Sequence, residues 1–167
     1  MGDVWTFVQC NSSGWGPALQ YAAASGADAI ALQELRKTER HIAEAQQSLG
    51  RIGYASVISP ARPTDEAGHG EGGCNSGSCA VTCKRAYGLG TVDTFAAAGE
   101  KPPCERFAIA RIGCLLKHGI VFASLWLYPG EGLSQRNLDL LDAVGKVLRG
   151  TALPFVLAGD FNVSAAC

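Results

Sequence analysis

No apolar run in this sequence approaches the roughly 18 residues needed to span a bilayer, which excludes a transmembrane helix and leaves a soluble protein with no membrane partner as the expectation. Charge of one sign is lacking too. Lys and Arg number 14 against 15 Asp and Glu, a net charge of -1, so no global basic field draws the chain onto nucleic acid or anionic lipid. Nucleic-acid binding would have to be local or metal-assisted. The start, Met1-Gly2-Asp3-Val4-Trp5, lacks the basic segment and apolar core of a signal peptide, and Trp5-Thr6-Phe7-Val8 reads better as a strand than as part of a myristoylation signal at Gly2. An intracellular location, cytoplasmic or nuclear, is the expectation. Cysteine is present, but its seven residues are an odd number, which favours reduced thiols over a disulfide scaffold. Cys74, Cys79 and Cys83 form C-x4-C-x3-C, without the C-x2-C knuckle or second ligand pair of a structural zinc site. Core or loop thiols are the stronger reading, and a thiol-based zinc module the weaker.

What is there is apolar and regularly punctuated. A 47% hydrophobic content over 167 residues makes one ordinary domain with a core to bury. Val4 to Cys10 alternates as a first strand and ends in the turn formers Asn11-Ser12-Ser13-Gly14. Pro17 suits the first turn of a helix through Ser25, which Gly26 ends, and Ala27 to Leu32 forms a short buried strand followed by Gln33-Glu34. Strand, helix, strand favours parallel neighbours. Thr38 is placed as the N-cap of a helix through Leu49, with Ile42, Ala45 and Leu49 as its buried stripe. Tyr54 to Ile58 is a strand, Ser59 to Ser78 reads as a long loop, and Cys79 to Lys84 and Gly88 to Phe95 are strands. Arg106 to Leu116 and Ile120 to Leu127 make a hairpin turning at Lys117-His118-Gly119. A third helix starts near Ser134, with Leu138, Leu141, Val144 and Leu148 at helical spacing and Gly150 at its end; Leu153 to Ala158 is a buried strand. Mixed strands with flanking helices point to an α/β fold in which sheets pack together beneath outer helices.

The chemistry comes from two of these strands, because Ala27 to Glu34 and Leu153 to Asn162 each deliver a carboxylate where the strand emerges, and strand ends are where open α/β sheets place ligands. Were the two strands close, Glu34 and Asp160 would converge, and like charges need a cation between them. Magnesium uses one or two carboxylates together with substrate phosphates, so it fits this pair better than zinc does. Asn11 and Asn162 add amides that can hold phosphate oxygens or a water without further negative charge.

The strand Val8-Gln9-Cys10-Asn11, the segment Ala27-Asp28-Ala29-Ile30-Ala31-Leu32-Gln33-Glu34, and Gly159-Asp160-Phe161-Asn162 resemble, in order and spacing, the endonuclease/exonuclease/phosphatase superfamily of exonuclease III-like and retrotransposon endonucleases. The Gly-rich segment before Cys79 and the run Ser134-Gln135-Arg136-Asn137 extend the likeness over nearly the whole chain. The resemblance implies a four-layered α/β/β/α sandwich and a Mg-dependent (or Mn-dependent) phosphodiester hydrolase, most of all an endonuclease on nucleic acid. It implies Glu34 on the metal, Asn11 at metal and phosphate, Asp160 on the attacking water and Asn162 on the scissile phosphate. Tyr128 would correspond to a family tyrosine, although it sits one residue closer to Pro129 than the family's Tyr-x-Pro. Arg136 could clamp a phosphate bidentately.

Each residue also has a plain reading. A Glu after a strand is commonly a solvated turn residue, Gly-Asp-x-Asn a β-turn, Asn11 an Asx-turn residue, and Arg136, His41, His69 and His118 solvated surface. Order and context together favour the catalytic reading. The family's later Asp and His have no counterpart in the chain order here, so residues 1–167 are expected to be a single partial domain, C-terminally truncated and weak or inactive alone. The alternative is a non-catalytic remnant that binds only metal or a partner.

Overall fold

Turn-forming residues cut the chain into short apolar runs, and most of those runs find places in two sheets. The computed structural model describes residues 4–63, 75–93, 104–113 and 116–163. In chain order they form β1 (Phe7–Asn11), α1 (Trp15–Ser25), β2 (Ala29–Gln33), α2 (Ile42–Arg51), β3 (Tyr54–Ile58), β4 (Ala61–Pro63), β5 (Asn75–Gly77), β6 (Ala80–Lys84), β7 (Leu89–Thr91), β8 (Phe107–Ile112), β9 (Ile120–Trp126), α3 (Gln135–Gly150) and β10 (Phe155–Asp160). One sheet has the order β1-β2-β6-β3, the other β10-β9-β8-β7, and β4 pairs with β5 alone. β1 and β2 run parallel, as do β9 and β10; the other pairings are antiparallel.

Alternation along the strands builds the layers. Ile30 and Leu32 of β2 face Ala18 and Ala22 of α1 and Ala45 and Leu49 of α2, while Ala29 and Ala31 face the second sheet at Ala108, Ala110 and Phe122. Ile109, Val121 and Leu125 on the far side of that sheet pack against Leu140, Val144 and Leu148 of α3. The result is helices, sheet, sheet, helix: the four-layered α/β/β/α arrangement. Small alanines on both inner faces let the sheets approach closely.

Several local expectations hold. Gly26 ends α1 in the left-handed conformation at φ 61°, and Tyr54–Ile58 is a strand within the expected bounds. Others are corrected. Thr38 gives no side-chain cap; its hydroxyl pairs with His41 Nδ1 at 2.9 Å, and a 3-10 turn Glu39–His41 precedes α2. The segment 59–78 is not wholly loop, since it contains β4 and β5. β7 is shorter than Gly88 to Phe95, and residues from 94 onward fall outside the described ones. In α3 the buried face is Asn137, Leu140, Val144, Val147 and Leu148, leaving Leu138 43% exposed. Among the described residues β10 has a neighbour on one side only and is half-exposed along its length, a difference from the expected buried strand, since an apolar run reads alike in a central strand and at an edge. Cys79 and Cys83 are core thiols, and burial pushes the Cys79 thiol up to about 12; Cys74 lies outside the described residues. His69 and the Gly-rich segment Gly68 to Gly73 lie outside them as well.

Candidate active site

Parallel pairing places Asn11, the last residue of β1, beside Gln33, the last of β2, so Asn11 lies next to Glu34. Asp160 ends β10 in the other sheet, opposite Trp126 of β9. One amide joins the two strand ends. Asn11 Nδ2 donates to Glu34 Oε1 at 2.8 Å and to Asp160 Oδ2 at 2.7 Å. The carboxylate oxygens are therefore no farther apart than these two contacts laid end to end. Two unit charges about 5.5 Å apart repel by about 3 kcal/mol at an effective dielectric constant of about 20, more than one neutral hydrogen bond typically returns. Arg36 Nη2 comes within 3.8 Å of Glu34 Oε2 but its side chain is 57% exposed, which weakens the pair; among the described residues no cation pairs with Asp160.

Backbone strain concentrates here. Six described non-glycine residues have positive φ, and five of them border this place: Ser13 (52°), Glu34 (59°), Arg36 (56°), Ser78 (74°) and Asn162 (47°). Such conformations cost free energy and persist where the surroundings impose them, commonly at functional sites. At Glu34 the left-handed backbone ends the strand's alternation, which would otherwise send its side chain toward the helices with Leu32. The surroundings that impose it are visible: Leu35 N–H donates to the Ser78 carbonyl and Arg36 N–H to that of Gly77.

Asp160 is itself held at both oxygens, for Oδ1 accepts the Asn162 backbone N–H at 3.0 Å. Asn162 Nδ2 donates to the Leu127 carbonyl at 2.9 Å, which ties this amide to β9's continuation. A cavity of about 470 Å³ opens beside them, lined by Gln9, Asp160, Phe161 and Asn162 among others. A larger recess, about 650 Å³, lies between α2, β3 and Arg85, but no carboxylate lines it; acid groups, not size, mark the site.

Of the residues named from sequence, Asn11, Glu34, Asp160 and Asn162 are brought together. Tyr128 and Arg136 join each other instead. The Arg136 guanidinium lies 3.4 Å from the Tyr128 ring centre and pairs with Glu131 at 3.3 Å, and no hydrogen bond or ion pair among the described residues links either to Glu34 or Asp160. The other face of Tyr128 carries Arg106, at 4.2 Å, which also lies 3.9 Å over Trp126. Burial lowers the Arg106 pKa from its ordinary value, and its Nε and Nη1 have no hydrogen-bond partner among the described residues. Buried Asn137 fixes this loop to α3 through both Tyr128 backbone groups and the Gly132 carbonyl. Sequence reasoning does not reach Arg106 or Trp126, and it places Gln33 in the Gln33-Glu34 motif without giving it a role: their roles come from partners dozens of residues away, and only the charge of an arginine at the start of an apolar run hints at one of them.

Residues 15–167 match the Endonuclease/Exonuclease/phosphatase family. The chain belongs to that family. No curated protein sequence is significantly similar to it. Among solved structures it is similar to the human Nocturnin catalytic domain with bound sulfate anion, at TM-score 0.60 and 19% identity over 94% of this chain and 64% of that one. It is also similar to Xenopus laevis APE2 catalytic domain (TM-score 0.58, 15% identity, 96% and 59%) and to humanized D. rerio TDP2 (0.57, 13%, 96% and 63%). The chain thus spans less than two thirds of each of these structures. Identities this low convey the fold, and the family chain shares it.

Proposed function

We propose that this member of the family is a phosphodiester hydrolase acting on nucleic acid, with a divalent cation, Mg2+ or Mn2+, held by Glu34 and Asn11. The single observation behind it is the Asn11 amide bridging two carboxylates from different sheets without a paired protein cation at Asp160. Carboxylate oxygens of the kind such an ion takes are supplied by Glu34 and Asp160, while Asn11 turns its NH2 to both of them and its Oδ1 to the Ser13 N–H, so it would ligate through its oxygen only with the amide turned over; among the described residues no three His, Cys, Asp or Glu side chains gather as a metal site. When bound, the ion would offset the charge of the pair and neutralise charge developing on the phosphoryl oxygens. The chain's own groups do the rest. Asp160, fixed at Oδ1 by the Asn162 N–H, orients the attacking water and takes its proton as the new P–O bond forms and the in-line bond to the leaving oxygen breaks, that oxygen departing with the electron pair and taking a proton from solvent water. Asn162 holds Asp160 through its backbone N–H, and its side-chain amide, with one N–H on the Leu127 carbonyl, keeps a second N–H for a phosphate oxygen. The exposed cations Arg36 and Arg136 favour a polyanionic substrate locally, where a net charge of -1 does not. His118 does not serve as the acid for the leaving group, because it precedes β9 while the site lies at the opposite end, seven residues or about 23 Å away.

Mn2+ titration of the purified chain, read by electron paramagnetic resonance, together with cleavage of a labelled oligonucleotide, tests this. One Mn2+ should bind, with affinity at least about tenfold weaker in Glu34→Gln, since removing a charged ligand costs about 1.4 kcal/mol or more, and weaker to a smaller degree in Asp160→Asn, which removes a neighbouring negative charge. Unchanged affinity in both variants would sink the site assignment. Binding without cleavage would identify the non-catalytic alternative.

A further inference from the structure

Gln33 is completely buried, which is unusual for a primary amide, and its partners lie on both sheets. Its Oε1 accepts from Gln9 Nε2 at 2.6 Å, its Nε2 donates to Ser124 Oγ at 2.8 Å, and Ser124 Oγ donates onward to the Leu32 carbonyl at 2.8 Å. The Gln33 carbonyl accepts from both the N–H and the hydroxyl of Ser12, at 3.3 and 3.1 Å. Two of these bonds, Gln33 Nε2 to Ser124 Oγ and Ser124 Oγ to the Leu32 carbonyl, join β2 to β9 across the sandwich.

The position of each partner matters. Ser12 follows Asn11, Glu34 follows Gln33, and Ser124 pairs in register with Ala158, two residues before Asp160. One residue therefore bonds to two of the three segments that carry the candidate site and reaches the third, β10, through its neighbour β9. A core that needed only cohesion would be as well served by an apolar side chain, because burying an amide returns little net stability even when every bond is made. What the amide adds is direction: two hydrogen bonds of fixed length across the sandwich hold the two sheets in one register at the level of the carboxylates, against their mutual repulsion. We infer that Gln33 is the positioning residue of this site, its side chain tying β2 to β9 and its carbonyl tying the Asn11 turn to β2, so that Glu34 and Asp160 are set at cation-binding spacing before any ion arrives. This rests on the metal-binding function proposed above and extends it to a residue that touches neither ion nor substrate. Gln9, exposed on the cavity wall beside Asp160, is the outer end of the same relay.

The test compares Gln33→Met, which keeps length and removes the amide, with Gln33→Met/Ser124→Ala, which leaves neither partner unpaired in the core. In the double variant the thermal midpoint should be unchanged or higher, while Mn2+ affinity falls about 10- to 100-fold, the range typical of residues that orient metal ligands. Glu34→Gln serves as the control for loss of a ligand. A double variant that binds Mn2+ as tightly as the unmodified chain, while Glu34→Gln does not, overturns the positioning role and leaves the site standing. A loss of affinity matched by an equal loss of stability would show Gln33 to be structural only and overturns it as well. Failure of the unmodified chain to bind Mn2+ overturns both proposals.

Discussion

β2 and β10 carry the two carboxylates and look alike as sequence, yet they are built in opposite ways. β2 lies between β1 and β6 and every one of its five residues is buried; among the described residues β10 is the edge of its sheet, with Phe155 50% exposed and the rest half-exposed. A central strand fixes its residues through two ladders and two packed faces, whereas an edge strand has one ladder to locate it. Glu34 is therefore placed by the core, and Asp160 by its hydrogen bonds to Asn11 and Asn162 and by β9. The site joins a rigid half to a more permissive half.

The sharpest way to break that contrast is to make the same deletion in both strands. Leu32 is fully buried between β2 and the helices, so Leu32→Ala should cost about 3 kcal/mol of folding stability. Leu157, only partly buried against the second core, should lose about 1 kcal/mol on the same change. Urea unfolding at constant m-value measures both. Equal losses would mean that β10 is as firmly built as β2.

That contrast also shows what sequence carries and what it does not. Alternation gives β3 its bounds, and Gly26 gives α1 its end, because these signals are local and each depends on backbone conformations that few residues reach. Glu34 and Asp160 are legible as a pair because each follows an apolar run. Whether a run is central or at an edge is set by its neighbours, so Leu153 to Ala158 reads as buried when it is not. Ala61-Arg62-Pro63 and Asn75-Ser76-Gly77 have no strand composition, and they pair because the chain returns, which hides β4 and β5 in a turn-rich segment. The aromatic stacking of Arg106 and the amide bridge of Gln33 arise from residues up to 91 positions apart and leave no pattern to read.

A second prediction finds the one place where β10 is not permissive. A Cβ on Gly159 would collide with the Leu125 carbonyl of β9, and that carbonyl is backbone and cannot swing aside. Gly159→Ala should push β10 away from β9 and carry Asp160 with it, at about 2 kcal/mol in stability. Mn2+ affinity should fall alongside it, because the displaced residue adjoins the ligand. A Gly159→Ala chain with ordinary stability and affinity would mean that the edge strand can shift without cost, and the comparison would then extend even to its tightest contact.

The smallest effect separates the two strands at their entries. Just before β2, Asp28 accepts from Thr6 N–H and Lys84 Nζ, both at 2.9 Å, and from the Tyr87 hydroxyl at 2.7 Å, whereas the residue before β10, Pro154, offers only its carbonyl to Val121 N–H. The Lys84 bond, then those of Thr6 and Tyr87, hold the Asp28 carboxyl at about 2, below its ordinary value of 3.8. A carboxyl lowered on folding adds stability that is fully present above the unfolded pKa near 4 and is lost as pH falls through about 2. Lys84 is 41% exposed, so salt screens part of the effect. Asp28→Asn should therefore cost about 1 kcal/mol at pH 7, the difference from the unmodified chain should shrink between pH 4 and about 2, and urea midpoints at those pH values follow it. A difference that stays constant down to pH 2 would mean that the charge of Asp28 does not pin the entry of β2, and that the firmness of this strand comes from its packing alone.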